Sequence, residues 1–294
     1  MRIPFLALAC GLVAGLAACR ATPRAGPADQ LQLDVYTADS TGFGVTSTLI
    51  YGKTEALLVD AQFRVSDAGR LADRVAATGR RLTAIIITHA HPDHYFGTAV
   101  LAQRFPDVPI YISAAGLEEF NRTVRSKIAQ WTPLYGAEIP TQVPTPAILP
   151  APTFSVDGQE VNVVSDLQGD ARSPSNSYVW VPSLEAAIAG DIVYDQTHVW
   201  LAESTPQTRQ GWLGTLRELD ARSPRIVVAG HKRRPDLPDS PDAIAFTSRY
   251  IADFVSAKVV AHSADELVAA MTRQYPDLGL PIVLTFAAKA AFPS

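Results

Sequence analysis

From Leu31 onward, the order of apolar and polar positions divides the chain into alternating strands and helices. Leu31 to Thr37 and Thr46 to Tyr51 alternate or run apolar with β-branched residues, and Ala56 to Asp60 is a short apolar run ending in a carboxylate. These segments predict the opening strands of a sheet. Val65 to Thr78 carries apolar residues at helical spacing and stops at Gly79. The Ile-rich run Leu82 to Thr88 that follows is typical of a strand buried on both faces. A helix over about Tyr95 to Phe105, a strand near Ile110, a helix near Ala114 to Ile128 and a Pro-rich surface loop from Pro133 to Pro152 complete the first half. Strands follow at Val161–Val164, Ser177–Val181, Ala186–Ala189 and Arg225–Ala229, with helices near Gln207–Leu219, Pro241–Ser256 and Ala264–Tyr275. Strand runs in both halves, each followed by helices, predict two sheets packed together with helices outside.

The first eighteen residues stand apart. Arg2 supplies a positive charge, and Ile3 to Ala18 is an uncharged run of Leu, Ala, Val and Gly ending in small residues, the pattern of an export signal. The run is short against the about 20 apolar residues of a membrane span, which leaves a retained anchor helix as the alternative. Leu16-Ala17-Ala18-Cys19 resembles a bacterial lipobox, in which Cys19 becomes the lipid-modified first residue; the alternative is a plain secretory signal with an incidental Cys. Arg20 in place of an Asp after that Cys resembles outer-membrane sorting. Residues 20–30 have the small, Pro-containing composition of a tether. One folded domain, 31–294, is expected beyond it, on the periplasmic face of the envelope, with membrane contact only through lipidated Cys19.

Composition narrows this little further. Of 294 residues, 47% are apolar and 18% charged, enough for a sizeable core. The formal net charge is −4, and cleavage that removes Arg2 makes the mature chain one unit more negative. No Lys/Arg stripe is present, so a nucleic-acid partner is not expected. With Cys10 in the signal and Cys19 lipidated, the mature chain has no disulfide.

The chemistry is concentrated in Thr88-His89-Ala90-His91-Pro92-Asp93-His94, directly after the buried run Ile85–Ile87. Imidazole nitrogen and carboxylate oxygen are the usual Zn²⁺ ligands outside thiolate sites, and a loop at a strand end can turn such side chains toward one point. His89 and His91 can share one metal while Asp93 and His94 face a second. No Gly-x-Ser-x-Gly elbow is present and no thiol remains for nucleophilic catalysis.

His-Ala-His-Pro-Asp-His resembles the H-x-H-x-D-H signature of the metallo-β-lactamase superfamily, an α/β (α+β) fold built as a four-layer αββα sandwich of two mixed sheets with a metal site at the sheet edge. Leu57-Leu58-Val59-Asp60 resembles the family strand whose Asp supports the metal ligands. Ala189-Gly190-Asp191 resembles its metal-bridging Asp, and Ala229-Gly230-His231 its final His. The resemblance implies that His89 and His91 bind the first metal, that Asp93, His94 and His231 bind the second, that Asp191 bridges them, and that Asp60 orients ligands by hydrogen bonding. One position departs from the pattern: where the family places a third His for the first metal, this chain has Gly169-Asp170. Asp170 is the expected ligand, with Arg172 and Asp166 as alternatives. A carboxylate there favours harder ions, so Zn²⁺, one or two ions, is expected with Mn²⁺ or Fe²⁺ as alternatives, and a mononuclear site is another.

The resemblance implies a hydrolase in which the metal lowers the pKa of water from 15.7 toward about 7, water is the nucleophile, and Asp93 orients it or carries its proton. The aromatic loop after Asp191 should border the pocket. Tyr194 and His198 are candidate hydrogen-bond donors to a developing oxyanion, with packing as the alternative for Tyr194, while Trp200 reads as packing. Trp131, Pro133 and Tyr135 are candidates for an apolar lid over the site. The segment Ala189 to Ser204 is similar to periplasmic members of the family more than to established β-lactamases. The expected substrate is a small cyclic amide or ester, a β-lactam or a lactone. The alternatives are a metal-binding lipoprotein without turnover, or a hydrolase of another ester or thioester. The family's nucleic-acid-processing branch is disfavoured because its inserted domain and basic surface are missing.

Overall fold

The computed structural model describes residues 30–293; the signal, Cys19 and most of the tether lie outside the described residues. The first half comprises β1 (Gln32–Thr37), β2 (Thr46–Tyr51), β3 (Glu55–Val59), α1 (Val65–Ala77), β4 (Arg81–Ile86), α2 (Pro92–Tyr95), α3 (Thr98–Arg104), β5 (Ile110–Ile112), α4 (Ala114–Tyr135) and β6 (Ala147–Ile148). Its six strands form one sheet in sequence order, antiparallel through β3 and parallel from β3 to β6. The second half comprises β7 (Thr153–Val156), β8 (Gln159–Leu167), β9 (Asn176–Val181), β10 (Ala186–Ile188), β11 (Tyr194–Asp195), α5 (Pro206–Asp220), β12 (Ile226–Val228), β13 (His231–Lys232), α6 (Asp242–Val260), α7 (Ala264–Gln274) and α8 (Pro281–Ala291). Its main sheet runs β12-β10-β9-β8-β7, and β11 and β13 form a separate parallel pair.

The two-residue period of the strands sorts their side chains into three cores. Leu57, Val59, Ala84 and Ile86 face Val179, Val181, Ala186, Ile188 and Val228 between the sheets. The alternate residues Ala56, Leu58, Ile85 and Ile87, with Leu82 brought to the same face by a β-bulge between the Ala56–Leu82 and Leu57–Ala84 pairs, point outward onto Leu71 and Val75 of α1, Leu101 of α3 and Phe120 of α4. On the other outer face, Tyr178, Ala187 and Ala189 pack against Trp212 and Leu216 of α5 and residues of α6, α7 and α8. The layers are therefore helix, sheet, sheet, helix, which is the expected αββα sandwich of two mixed sheets. Among the described residues no helix is long and apolar enough to cross a membrane.

Three expectations change. The predicted helix over Tyr95 to Phe105 is two short helices, broken where the Gly97 N–H donates to the Gln62 carbonyl at 2.9 Å. The helix predicted to end near Ile128 runs on to Tyr135, so Trp131, Pro133 and Tyr135 lie on α4 and not in a loop. A proline inside a helix is costly, but Trp131 and Tyr135, four residues apart on one face, pack edge-on against Phe63 at 5.3 and 5.0 Å. That contact extends the helix to Gly136, whose φ of 56° ends it. The third change concerns His198, which the structure does not bring to the ligand cluster. Its Nδ1 lies 2.8 Å from the Tyr250 hydroxyl, its ring packs edge-on against Tyr250 at 5.7 Å, and its backbone N–H donates to Gly279 at 2.9 Å. His198 clamps the loop after β11 to the segment before α8, a packing duty that proximity to Asp191 in sequence could not reveal.

Burial lowers the His198 pKa from its ordinary 6.5 to about 4. The folded state then stays neutral while the unfolded state takes up a proton near pH 6.5, so the unfolded chain binds more protons in between. Stability contributed here is intact above pH 6.5 and lost as pH falls toward about 4. His198→Gln should therefore lose less stability than the wild type between pH 6.5 and 4 in urea unfolding; equal slopes for the two proteins would contradict the assignment.

Candidate metal centre

The centre lies where the ends of β3, β4 and β10 meet the β11–β13 pair. Asp60 directly follows β3 in a left-handed conformation, φ 62°, which a residue with a side chain adopts only where its surroundings impose it. What holds it is a set of bonds to the loop after β4. The Asp60 carboxylate accepts from the Thr88 N–H at 2.8 Å and the Thr88 hydroxyl at 2.9 Å, and lies 2.8 Å from His94 Nδ1. His91 precedes α2, Pro92 occupies that helix's first position, and Asp93 and His94 follow within its single turn. This turns Asp93 and His94 toward a different point from His89 and His91.

On the other sheet, Asp170 sits in the loop after β8 and Asp191 in the 3-10 turn Gly190–Ile192 after β10. Pairing of β11 with β13 sets Tyr194 beside His231, and their rings stack at 5.2 Å and 11°. The glycines before Asp191 and His231 are steric necessities. Gly190 has φ 48°, and a Cβ on Gly230 would stand 2.1 Å from Asp191 Oδ1, so only a bare backbone lets the two turns close around that carboxylate.

Two groups of ligand atoms result: His89, His91, Asp170 and Asp191, and Asp93, His94 and His231, with the atoms of each group within 4.8 Å of one another. Asp191 faces both groups, its Oδ1 3.0 Å from His94 Nε2 and its Oδ2 3.1 Å from His231 Nε2 and 3.7 Å from His89 Nε2. The expected ligands are thus brought together. Asp170 takes the place expected for a third His, 3.0 Å from His91 Nδ1 and 3.7 Å from His89 Nε2. The alternative Arg172 points instead at Glu203, 3.5 Å away, and is largely exposed. Asp166 belongs to β8 and is not among these ligand groups.

Hydrogen-bond logic fixes how three of the histidines present themselves. The Thr88 hydroxyl gives its proton to Asp60, so at 3.0 Å from His89 Nδ1 it can only accept there. His94 Nδ1–H donates to the Asp60 carboxylate, and His231 Nδ1–H donates to the Phe43 carbonyl at 2.8 Å. In its neutral, ligating form each ring therefore carries its lone pair on Nε2, facing the cluster. His89 Nε2 is buried with no hydrogen-bond partner, and such an orphaned acceptor is costly unless something electropositive fills the space beside it.

Charge leads to the same conclusion. Burial, reinforced by the neighbouring histidines, holds His89 well below its ordinary pKa, so its imidazole is neutral. Burial resists ionisation of Asp191, but His231 and His94 outweigh it and keep the carboxylate well below its usual range. Burial pushes Asp170 up, against the pull of His91 and with Asp191 adding repulsion. Burial opposes the charged form of His91, His94 and His231, but the Asp170, Asp191 and Asp60 carboxylates outweigh it and hold all three above their ordinary pKa, so protons stand where divalent cations would, and metal binding would release them. The donor set of nitrogen and carboxylate oxygen fits such ions.

Tyr194 reaches the centre in a supporting capacity. Its buried hydroxyl lies 3.1 Å from Asp170 Oδ2 and 2.9 Å from Asp191 Oδ2, while Asn176 Nδ2 donates to Asp170 Oδ1 at 3.0 Å. Above the ligands opens a cavity of about 380 Å³. Its floor includes His91, Asp93, Asp191 and His231; one wall is α4, with Thr123, Lys127 and Trp131, and the other is Trp200 with Leu280, Val283 and Phe286 at the start of α8. Trp131 thus borders the cavity, while Pro133 and Tyr135 do not. Sequence reasoning missed the α8 wall, Asn176 and Glu203. Pro281 at the first turn of α8 was a readable helix start, but nothing local marks Asn176 or Glu203 as neighbours of the centre.

Solved structures share this architecture. A metallo-beta-lactamase from Pontibacter korlensis superposes with a TM-score of 0.57 at 19% identity, covering 76% of this chain and all (100%) of that one. A metallo-beta-lactamase family protein from Thermus thermophilus superposes with a TM-score of 0.61 at 18% identity, covering 88% of this chain and 91% of that one. At such identities the likeness is one of fold. A hydroxyacylglutathione hydrolase from Aeromonas salmonicida (strain A449) is 40% identical over 63 residues, which is 21% of this chain and spans only 23% of that relative's length. The family model described as metallo-beta-lactamase superfamily matches residues 40–231, from the turn before β2 through His231. That span holds every ligand of the centre, and the chain belongs to the metallo-β-lactamase superfamily.

Proposed function

We propose that this metallohydrolase opens a small cyclic amide or ester, a β-lactam or a lactone, and that the export signal and lipidated Cys19 read from the sequence place it on the periplasmic face of the envelope. The observation that carries the hydrolytic reading is the convergence of the His89, His91, Asp170 and Asp191 group with the Asp93, His94 and His231 group beneath an open cavity, His89 Nε2 being buried and unpartnered. His89, His91, Asp170 and Asp191 would hold one divalent cation and Asp93, His94 and His231 a second, zinc being the proposed ion, and these would supply Lewis acidity and lower the pKa of water toward about 7.

The chain's own residues do the rest. Asp93 borders the cavity with its side chain 15% exposed and its Oδ2 3.3 Å from His231 Nε2, so it can take the proton of the attacking water. Water attacks the carbonyl carbon, the C–N or C–O bond breaks, and Asp93 returns the proton to the leaving nitrogen or oxygen. Asp60 and Thr88 hold His94 and His89 in the ligating tautomer. The Tyr194 hydroxyl is engaged by Asp170 and Asp191, which makes it a positioning group for those carboxylates in place of the oxyanion donor expected from sequence. The cavity volume suits a small molecule, and its apolar α8 wall suits a substrate with a hydrophobic substituent. A thioester is the second reading, favoured by the local likeness to the Aeromonas salmonicida enzyme.

Metal analysis of the purified protein, with turnover of a chromogenic cephalosporin, a lactone and a glutathione thioester, tests this reading. Two ions per chain are expected, with loss of turnover on chelation and recovery on adding metal. Turnover that survives chelation would overturn the mechanism, and bound metal with no turnover on any ester, lactone, lactam or thioester would leave a metal-binding protein. Asp93→Asn, measured at saturating metal, should lower kcat by about 10²–10⁴-fold and also weaken the second ion, whose ligand group includes Asp93, while the first ion is retained. Asp170→His should shift metal preference toward Zn²⁺ over Mn²⁺ in competition titrations, since it exchanges a hard oxygen for nitrogen.

A further inference from the structure

Three of the four ligand histidines have their outward ring nitrogen assigned: His89 to Thr88, His94 to Asp60 and His231 to the Phe43 carbonyl. A ligating histidine almost always hands its second nitrogen to such a partner, which sets ring orientation and raises basicity. His91 is the fourth. Its Nδ1 faces the first ligand group, 3.0 Å from Asp170 Oδ2, and its Nε2 faces the opposite way, 3.7 Å from Glu203 Oε2.

Glu203 is an unusual carboxylate. It lies on the loop after β11, lines the cavity, and has a side chain only 13% exposed. Burying a carboxylate is costly unless cations surround it. Here Lys127 Nζ of α4 lies 3.7 Å from Oε1, and Arg172 Nε lies 3.5 Å from Oε2. Arg172 is two residues from Asp170 on the same loop. Trp200, three residues before Glu203, meets the His91 ring edge-on at 6.4 Å. One carboxylate thus touches a ligand histidine, the loop that carries the ligand Asp170, and the helix that walls the cavity.

We infer that Glu203 is the orienting carboxylate of the first ligand group: as the anion facing His91 Nε2 at 3.7 Å it favours the proton on that nitrogen, so that Nδ1 is left to ligate, and it tethers the Asp170 loop through Arg172. Lys127 and Arg172 keep Glu203 anionic and in place. Glu203 is a positioning residue: it acts on the metal through His91. Unlike Thr88 and Asp60, it also borders the cavity, so the first ligand group is coupled to the wall where substrate binds.

This rests on the two-group metal centre proposed above, and the test separates the two ideas. Metal affinity is measured by chelator competition on the full mature protein for wild type, Glu203→Gln, His91→Ala and the double variant, with the visible spectrum of the Co²⁺-loaded forms and the melting temperature of the metal-free forms. Glu203→Gln should weaken one ion by about 10–100-fold, leave the other unchanged, alter the Co²⁺ spectrum and spare the metal-free melting temperature. In the His91→Ala background the same change should have no further effect on metal affinity. Glu203→Asp, which keeps the charge, should restore part of the loss and covers the case in which the amide folds poorly. Wild-type affinity in Glu203→Gln, or an equal loss with and without His91, would overturn this inference while leaving the metal centre standing. A wild type that binds no metal would overturn both.

Discussion

The Asp60 carboxylate is the contact on which the site depends. It terminates β3 in a left-handed turn and gathers the Thr88 N–H, the Thr88 hydroxyl and His94 Nδ1. Through Thr88 it also dictates the tautomer of His89. One buried anion therefore converts the adjacent ends of β3 and β4 into a rigid base from which two imidazoles present lone pairs inward. The strain of its backbone is sustained by the inter-sheet core beneath, where Leu57, Val59, Ala84 and Ile86 leave β3 and β4 no alternative register without exposing apolar faces.

The second sheet supplies what the first lacks. Asp191 arrives on a turn that closes only because Gly190 and Gly230 have no side chains, and the Gly230 N–H donates to both Gly190 and Val193 at 2.9 Å. The Thr46 hydroxyl donates to the Ala229 carbonyl at 2.7 Å, and the Thr46 N–H to the Gly230 carbonyl at 2.8 Å, which locks the His231 turn onto β2. The metal centre is thus a seam between halves, and the cavity above it is walled by one helix from each, α4 and α8. His198, held by Tyr250 and Gly279, fixes the loop that carries Trp200 and Glu203 into that seam.

The sequence made some of this plain and hid the rest for physical reasons. His89, His91, Asp93 and His94 are contiguous, so a strand end followed by one helical turn is enough to predict convergence. Asp60, Asp191 and His231 were readable only through the family resemblance, since a Gly-Asp or Gly-His after an apolar run is by itself more often a turn than a ligand. Asp170 could be placed by its distance from β9, but Asn176 and the Tyr194 hydroxyl that hold it are set by tertiary packing alone. Glu203 and Lys127 are 76 positions apart and meet only because the sheets face each other. The extension of α4 past Pro133 depends on Phe63, a residue from the loop after β3, and no local propensity encodes it. The envelope location proposed above rests on residues 1–19, outside the described part of the chain.

The most direct measurement is anomalous X-ray diffraction from crystals grown with Zn²⁺ and recorded on either side of the zinc edge. Two peaks are expected with Asp191 between them, one enclosed by His89, His91 and Asp170 and the other by Asp93, His94 and His231. No anomalous density among these residues, with the ion bound elsewhere or absent, would contradict the account.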